Sequence, residues 1–231
     1  MKYNYAWLEN CADARGTIIV IDVLRAFSTA AYAIAAGAVS VSLVGWVEEA
    51  LALKRQFPAW LLLGEVGGLP PAGFDFGNSP TQIREQDLAG RHLIQRTGAG
   101  TQAVVRCSHA KRLLAASFVV ASATVNSVRL AGVDHVTFIL SGGEYNQEDL
   151  ACADYLRDLF ENLAPDPKPF IQRVYRSGDA RIHLDPKHPE FPESDLDYCT
   201  RIDAFSFAMP VTSENGRLVM RPEPPPPFLA C

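Results

Sequence analysis

The sequence predicts a layered α/β/α protein on a mostly parallel sheet, with a C-terminal appendage that contains a β-hairpin. Three observations predict it. Short β-branched runs alternate with helical segments through the first two thirds of the 231 residues, the pattern of parallel strands covered on both faces. Glycine and proline punctuate nearly every junction between them. After Pro165 the texture turns Pro-rich and ends in a hairpin signal at Asn215-Gly216. A single domain spanning 1–231 follows, with a core of about 1–165 and an appendage of about 166–231 packed on the sheet.

The elements read in order. "TIIVIDV" (17–23) is a continuous β-branched run and predicts a doubly covered strand. "STAAYAIAAGA" follows as a helix that Gly37 caps. "VSVSLV" is a strand, "EEALALKRQF" a helix that Pro58 ends, and "WLLLGE" a third strand. "GEVGGLPPAGFDFGNSP" (64–80) is too rich in Gly and Pro for a regular element and predicts a long, ordered loop. The alternation resumes with strands at "HLIQRT", "RLLAASF" and "HVTFILSGG". Helices are expected at "GTQAVVRC", "ATVNSVRLAG" and "QEDLACADYLRDLFENL". In the last, Leu150, Ala153, Leu156, Leu159 and Phe160 share a face. "PDPKPF" and "HLDPKHPEFPESD" read as loops and "PEPPPPFLAC" as a loose tail.

A net charge of −5 argues against a nucleic-acid binder, which carries a basic face. No run approaches the roughly 20 apolar residues of a membrane span. "MKYNYAWLEN" lacks the apolar stretch of a signal peptide. A cytoplasmic protein is expected. Five scattered cysteines without a CxxC pair suggest reduced, buried thiols. The histidines show no ligand spacing and read as incidental.

Ligands of open parallel sheets bind outside the strands' C-terminal ends. Four polar stretches fall there. In "DVLRAFST", Asp22 is a candidate hard-metal ligand and Arg25 a bidentate phosphate partner, while Ser28 and Thr29 open a helix whose amides favour an anion. The same residues are equally read as an Asp22–Arg25 ion pair with Ser28 as helix N-cap. The long loop brings Glu65, Asp75, Asn78 and Ser79, all oxygen donors suited to Mg²⁺ or Mn²⁺; its alternative is a structural Ω-loop. "RTGAGT" offers Arg96, Thr97, Gly98, Gly100 and Thr101, either as an anion nest or as an ordinary tight turn. "SGGEYNQED" adds Glu144 on the loop, with Glu148 and Asp149 at a helix start that the dipole alone explains.

Together, "VIDVLRAFSTA", "GEVGGLPPAGFDFGNSP", "RTGAGTQA", "LSGGE…QEDLACADYL" and "FPESDLDYCTRIDAFSFAMPV" resemble, in order and spacing, the 2-phosphosulfolactate phosphatases. The resemblance covers nearly the whole chain. It implies an Mg²⁺-dependent phosphatase of a distinct α/β fold that converts 2-phospho-3-sulfolactate to sulfolactate on the route to coenzyme M. It carries over Asp22, Arg25, Ser28, Glu65, Asp75, Asn78, Ser79, Gly100 and Thr101. Asp22, Glu65 and Asp75 are then expected to hold Mg²⁺, Arg25 and the 98–101 amides the phosphate, and Arg96 the second anionic group. Two positions depart: Val66 stands where the family often has Arg, and Ala99 where it often has Asn. Two other readings stay open, a phosphatase of another small phosphorylated acid and a non-enzymatic binder of a small phosphorylated or sulfonated ligand. A homo-oligomer is compatible with either.

Overall fold

A computed structural model describes residues 1–142 and 146–224. Nine strands form one sheet: β1 (Lys2–Trp7), β2 (Thr17–Ile21), β3 (Ser40–Leu43), β4 (Leu61–Gly64), β5 (His92–Arg96), β6 (Arg112–Ala116), β7 (His135–Leu140), β8 (Met209–Glu214) and β9 (Arg217–Met220). The helices are α1 (Ala26–Ala35), α2 (Val47–Gln56), α3 (Pro80–Ile83), α4 (Gly100–Arg106), α5 (Ala121–Leu130), α6 (Gln147–Phe160), α7 (Lys168–Tyr175), α8 (Ala180–His183) and α9 (Ser194–Cys199). The layered α/β expectation holds, and each predicted core strand and helix is present within a few residues.

The sheet order is β1-β7-β2-β6-β8-β9-β3-β5-β4. Two parallel blocks, β1-β7-β2-β6 and β3-β5-β4, are joined by the antiparallel hairpin β8-β9. The hairpin turns at Asn215-Gly216 as expected, with positive φ at both residues, the geometry of a two-residue primed turn. Its position differs from the expectation. Rather than packing on the sheet, β8 pairs with β6 and β9 with β3, so the C-terminal segment completes the sheet's centre. Five further elements were not foreseen, two of them the short helices α3 and α9. β1 forms from the alternating "KYNYAW", and α7 starts at "PKPF", where prolines are tolerated in a first turn. The short α8 lies in the segment read as irregular.

Every residue of β2 is buried. Ile18 and Val20 face one core, with Phe27, Ala30 and Ala31 of α1 and Val104 of α4. Ile19 and Ile21 face the other, with Val125 and Val128 of α5 and Leu156 and Phe160 of α6. Period-two alternation therefore feeds two cores from one strand. The sheet curls around α1 and α4. Four strands separate β2 from β5 in the order, yet Gln95 Nε2 on β5 donates to the Ala26 carbonyl at the start of α1 at 2.9 Å. That curl brings distant strand ends to one rim.

Four described cysteines, Cys11, Cys107, Cys152 and Cys199, are free and buried. No described helix is long and apolar enough to cross a membrane. Glu144 and most of the proline-rich tail, with Cys231, lie outside the described residues.

Candidate active site

A cleft of about 260 Å³ opens at this rim. Its floor comes from residues just beyond β2, β4 and β5: Asp22, Arg25, Glu65, Thr97 and Ala99, with Asn78 from the long loop. Its opposite wall comes from the C-terminal segment: Asp179, Ile182, His183 and Phe191.

Asp22 follows the last residue of β2, where the chain turns into α1. Its Oδ1 accepts from Ala26 N at 2.8 Å, capping the helix through the side chain. Burial pushes its carboxyl up to about 6; the charge of Glu65 adds to this, while the Ala26 amide, the Ser141 hydroxyl and the Gly100 amide pull it back. Gly100 is required by contact, since a Cβ there would lie 2.6 Å from Asp22 Oδ2 and 2.9 Å from the Ala26 Cβ. Behind Asp22, the buried Asp149 accepts from Val23 N at 2.9 Å with one oxygen and from Ser141 N at 3.0 Å with the other. It ties the ends of β2 and β7 together. Burial, and then the charge of Asp22, push its carboxyl up.

Glu65 is held by two backbone N–H groups: Gly68 N donates to Oε2 at 2.7 Å and Gly98 N to Oε1. Of the amides that "RTGAGT" could offer to an anion, that of Gly98 is thus engaged by the protein's own carboxylate. Thr97 and Thr101 complete the turn reciprocally. Thr97 N donates to Thr101 Oγ1 at 2.8 Å and Thr101 N to Thr97 Oγ1 at 3.1 Å. Both hydroxyls thereby serve the start of α4. Asn78 is buried and its Oδ1 has no hydrogen-bond partner among the described residues.

Several predicted residues serve other ends. Arg25 lines the cleft but does not pair with Asp22. Its Nη1 meets Asp195 Oδ2 at 2.8 Å, with both side chains buried, and its guanidinium stacks 4.5 Å over the Phe191 ring. Ser28 is neither cap nor anion ligand; it donates to the Val23 carbonyl at 2.8 Å from inside α1. Thr29 is fully buried in the same helix and does not line the cleft. Ser79 donates to Asp195 Oδ1 at 2.7 Å and caps α3. Arg96 donates through Nη1 to the Glu65 carbonyl (2.8 Å) and through Nε to the Gly45 carbonyl (3.3 Å), bracing the strand ends, and it is not among the residues that line the cleft. Asp75 accepts from Leu62 N at 2.7 Å and Lys54 Nζ at 3.1 Å, outside the cleft. Among the described residues, no three His, Cys, Asp or Glu side chains gather as a metal site, so the Asp22–Glu65–Asp75 triad does not assemble.

The sequence reading missed Asp195, Asp149 and His183. Asp195 is fully buried and accepts from Arg25, Ser79 and Thr81 N. It pins the long loop and α1 to the C-terminal segment. Gly68 lets the two segments interlock, because a Cβ there would lie 2.2 Å from Phe191 Cζ.

The whole constellation has relatives. A family model described as 2-phosphosulpholactate phosphatase matches residues 6–214. The chain belongs to that family. Among its relatives, a probable 2-phosphosulfolactate phosphatase of Bacillus subtilis is 35% identical over 199 residues, covering 85% of this chain and 87% of the relative. One of Carboxydothermus hydrogenoformans is 31% identical over 233 residues, covering 92% of each. The family is one of phosphoric monoester hydrolases, and both floor carboxylates, Asp22 and Glu65, lie in the stretches that suggested it.

Proposed function

We propose that the protein hydrolyses 2-phospho-3-sulfolactate to sulfolactate and phosphate and requires Mg²⁺. One observation carries the metal requirement. Asp22, Glu65 and Asp179 face the cleft against a single guanidinium, Arg25, which Asp195 already pairs. A multiply charged anion entering that field needs a bound cation. The donors suit a hard ion: the Asp22 and Glu65 carboxylates together with the unpartnered Asn78 Oδ1, which takes the place foreseen for Asp75. Bound there, Mg²⁺ supplies charge stabilisation for the transferring phosphoryl group and acidifies a coordinated water.

The chain's own groups supply placement. The Ala26 amide fixes Asp22 at Oδ1, and the Gly68 and Gly98 amides fix Glu65 at both oxygens. Neither carboxylate has to reorganise when substrate arrives. Arg25 lines the cleft and supplies its positive charge, while its guanidinium also meets the Glu190 and Gly68 carbonyls at 3.4 Å. Phe191 and Ile182 cover the organic part and exclude water. Direct attack by water is favoured over an aspartyl-phosphate, because "DVLRA" lacks the second aspartate of the phosphoenzyme-forming phosphatases.

A second reading, hydrolysis of another small phosphorylated acid, is favoured by Arg96 and Val66. With the first on backbone carbonyls and an apolar residue at the second, no second guanidinium is at hand for a sulfonate. Phosphate release from 2-phospho-3-sulfolactate, phospholactate and phosphoglycolate, with Mg²⁺ and with chelator, tests both readings. The first predicts highest kcat/KM on the sulfonated ester and loss of turnover on chelation. Ligand-dependent thermal stabilisation without any turnover would make the protein a binder.

A further inference from the structure

We infer that His183 is a catalytic residue, the proton donor to the departing oxygen of the substrate. The inference rests on the phosphatase reading above. His183 ends α8 and lines the cleft wall opposite Asp22 and Glu65. Its Nδ1 lies 3.1 Å from the Pro192 carbonyl, which only accepts, so Nδ1 carries the hydrogen and is held there. The ring is fixed a second time, edge-on to Phe191 at 5.5 Å. Nε2 is then the free atom. It has no hydrogen-bond partner among the described residues, and the nearly buried residue lines the cleft. Two constraints on one imidazole, with the other nitrogen left over, are the arrangement of an oriented acid–base group.

The other polar groups of the cleft do not fill this role. Glu65 and Asp22 are held as acceptors by backbone amides. Arg25 does not release protons, and the Thr97 hydroxyl is engaged at the start of α4. Asp179 sits at the exposed mouth. The position also fits. The phosphoryl group belongs on the floor and the carbon skeleton against the wall, so the bridging oxygen lies between them.

Burial lowers the His183 pKa first, and the Arg25 charge lowers it further, against the raising influence of the Pro192 carbonyl, Asp195 and Asp179. The environment of the free protein therefore favours the neutral imidazole. An entering anion offsets Arg25 and favours uptake of a proton at Nε2. In the step itself a water oxygen bonds to phosphorus and the ester P–O bond breaks. Its electron pair stays on the departing oxygen, which takes the proton from Nε2. The attacking water releases one proton, and that proton returns to the imidazole.

Such an acid matters for a poor alkoxide leaving group and hardly for a good one. His183→Asn retains a side-chain donor for Pro192. Its kcat/KM on 2-phospho-3-sulfolactate should fall by about 10²–10⁴-fold, and on p-nitrophenyl phosphate by less than about 3-fold. Equal losses on both esters would overturn the inference while leaving the phosphatase reading intact. A wild type that hydrolyses neither ester sinks that reading, and the inference with it. Should the variant not fold, the wild type alone decides. Its rates across phosphate monoesters should depend little on leaving-group pKa, and a steep dependence contradicts proton donation.

Discussion

The floor and the opposite wall of the cleft are held in place by different means. On the floor, each carboxylate is fixed by backbone N–H groups from short turns: Asp22 by Ala26, and Glu65 by Gly68 and Gly98. On the wall, position comes from side chains far apart in sequence. Asp195 reaches Arg25 across 170 residues and Ser79 across 116. The floor is thus a set of strand-end turns rigid in their own right. The wall is tied to the floor by one buried ion pair, Asp195 with Arg25, and by the Phe191 ring stacked on that guanidinium, so it stands or falls as a unit.

The strongest way to break this contrast is Asp195→Ala. It leaves the Arg25 guanidinium buried without its partner, which costs about 3–5 kcal/mol. The urea midpoint should fall accordingly, and the wall should open. A floor substitution of comparable size acts differently. Gly100→Ala places a Cβ 2.6 Å from Asp22 Oδ2 and should destabilise by about 1–3 kcal/mol. Turnover should fall further than stability explains. Gly98→Ala, 3.2 Å from Glu65 Oε1, should do the same more mildly. If Gly98→Ala were the more damaging of the two, the pinning of Asp22 against Gly100 would be wrong.

A smaller effect tests the layer behind the floor. Glu148 is fully buried and neither carboxylate oxygen has a partner among the described residues. Burial, then the charges of Asp149 and Asp179, raise its pKa to about 9. The folded state therefore keeps a proton that the unfolded chain releases near the ordinary carboxylate value. Stability from this group is complete at acid pH and is lost as pH rises toward about 9. Chemical denaturation from pH 5 to 9 should show that decline. Glu148→Gln should make it shallower without abolishing it, because the buried Asp149 and Asp22 carboxyls are raised as well, gaining on the order of 1–2 kcal/mol at pH 8 and little at pH 5.

The same contrast explains what the sequence discloses. Strands and helices of the core follow from periodicity, and Asp22 and Glu65 follow from standing where a buried strand ends. β1 was legible in principle, since Tyr3, Tyr5 and Trp7 alternate with Lys2 and Asn4. The place of β8-β9 at the sheet's centre was not, because strand pairing across the chain leaves no local pattern. Asp195 is likewise defined by partners more than a hundred residues away, and Asp149 and His183 by contacts with an adjacent strand end and a neighbouring loop that no residue pattern announces. Asp75 illustrates the converse: a carboxylate in the right loop was taken by Leu62 N and Lys54 on the wrong side of it.

Isothermal titration calorimetry with Mg²⁺ tests the central claim most directly, that Asp22 and Glu65 on the floor, without Asp75, form the metal site. Wild type and Asp75→Asn should bind one ion with affinities within about 3-fold of each other, since the Lys54-paired carboxylate contributes little beyond a surface ion pair. Asp22→Asn and Glu65→Gln should lose detectable binding while their unfolding transitions remain. Unchanged binding in Asp22→Asn and Glu65→Gln, or loss confined to Asp75→Asn, would contradict the account.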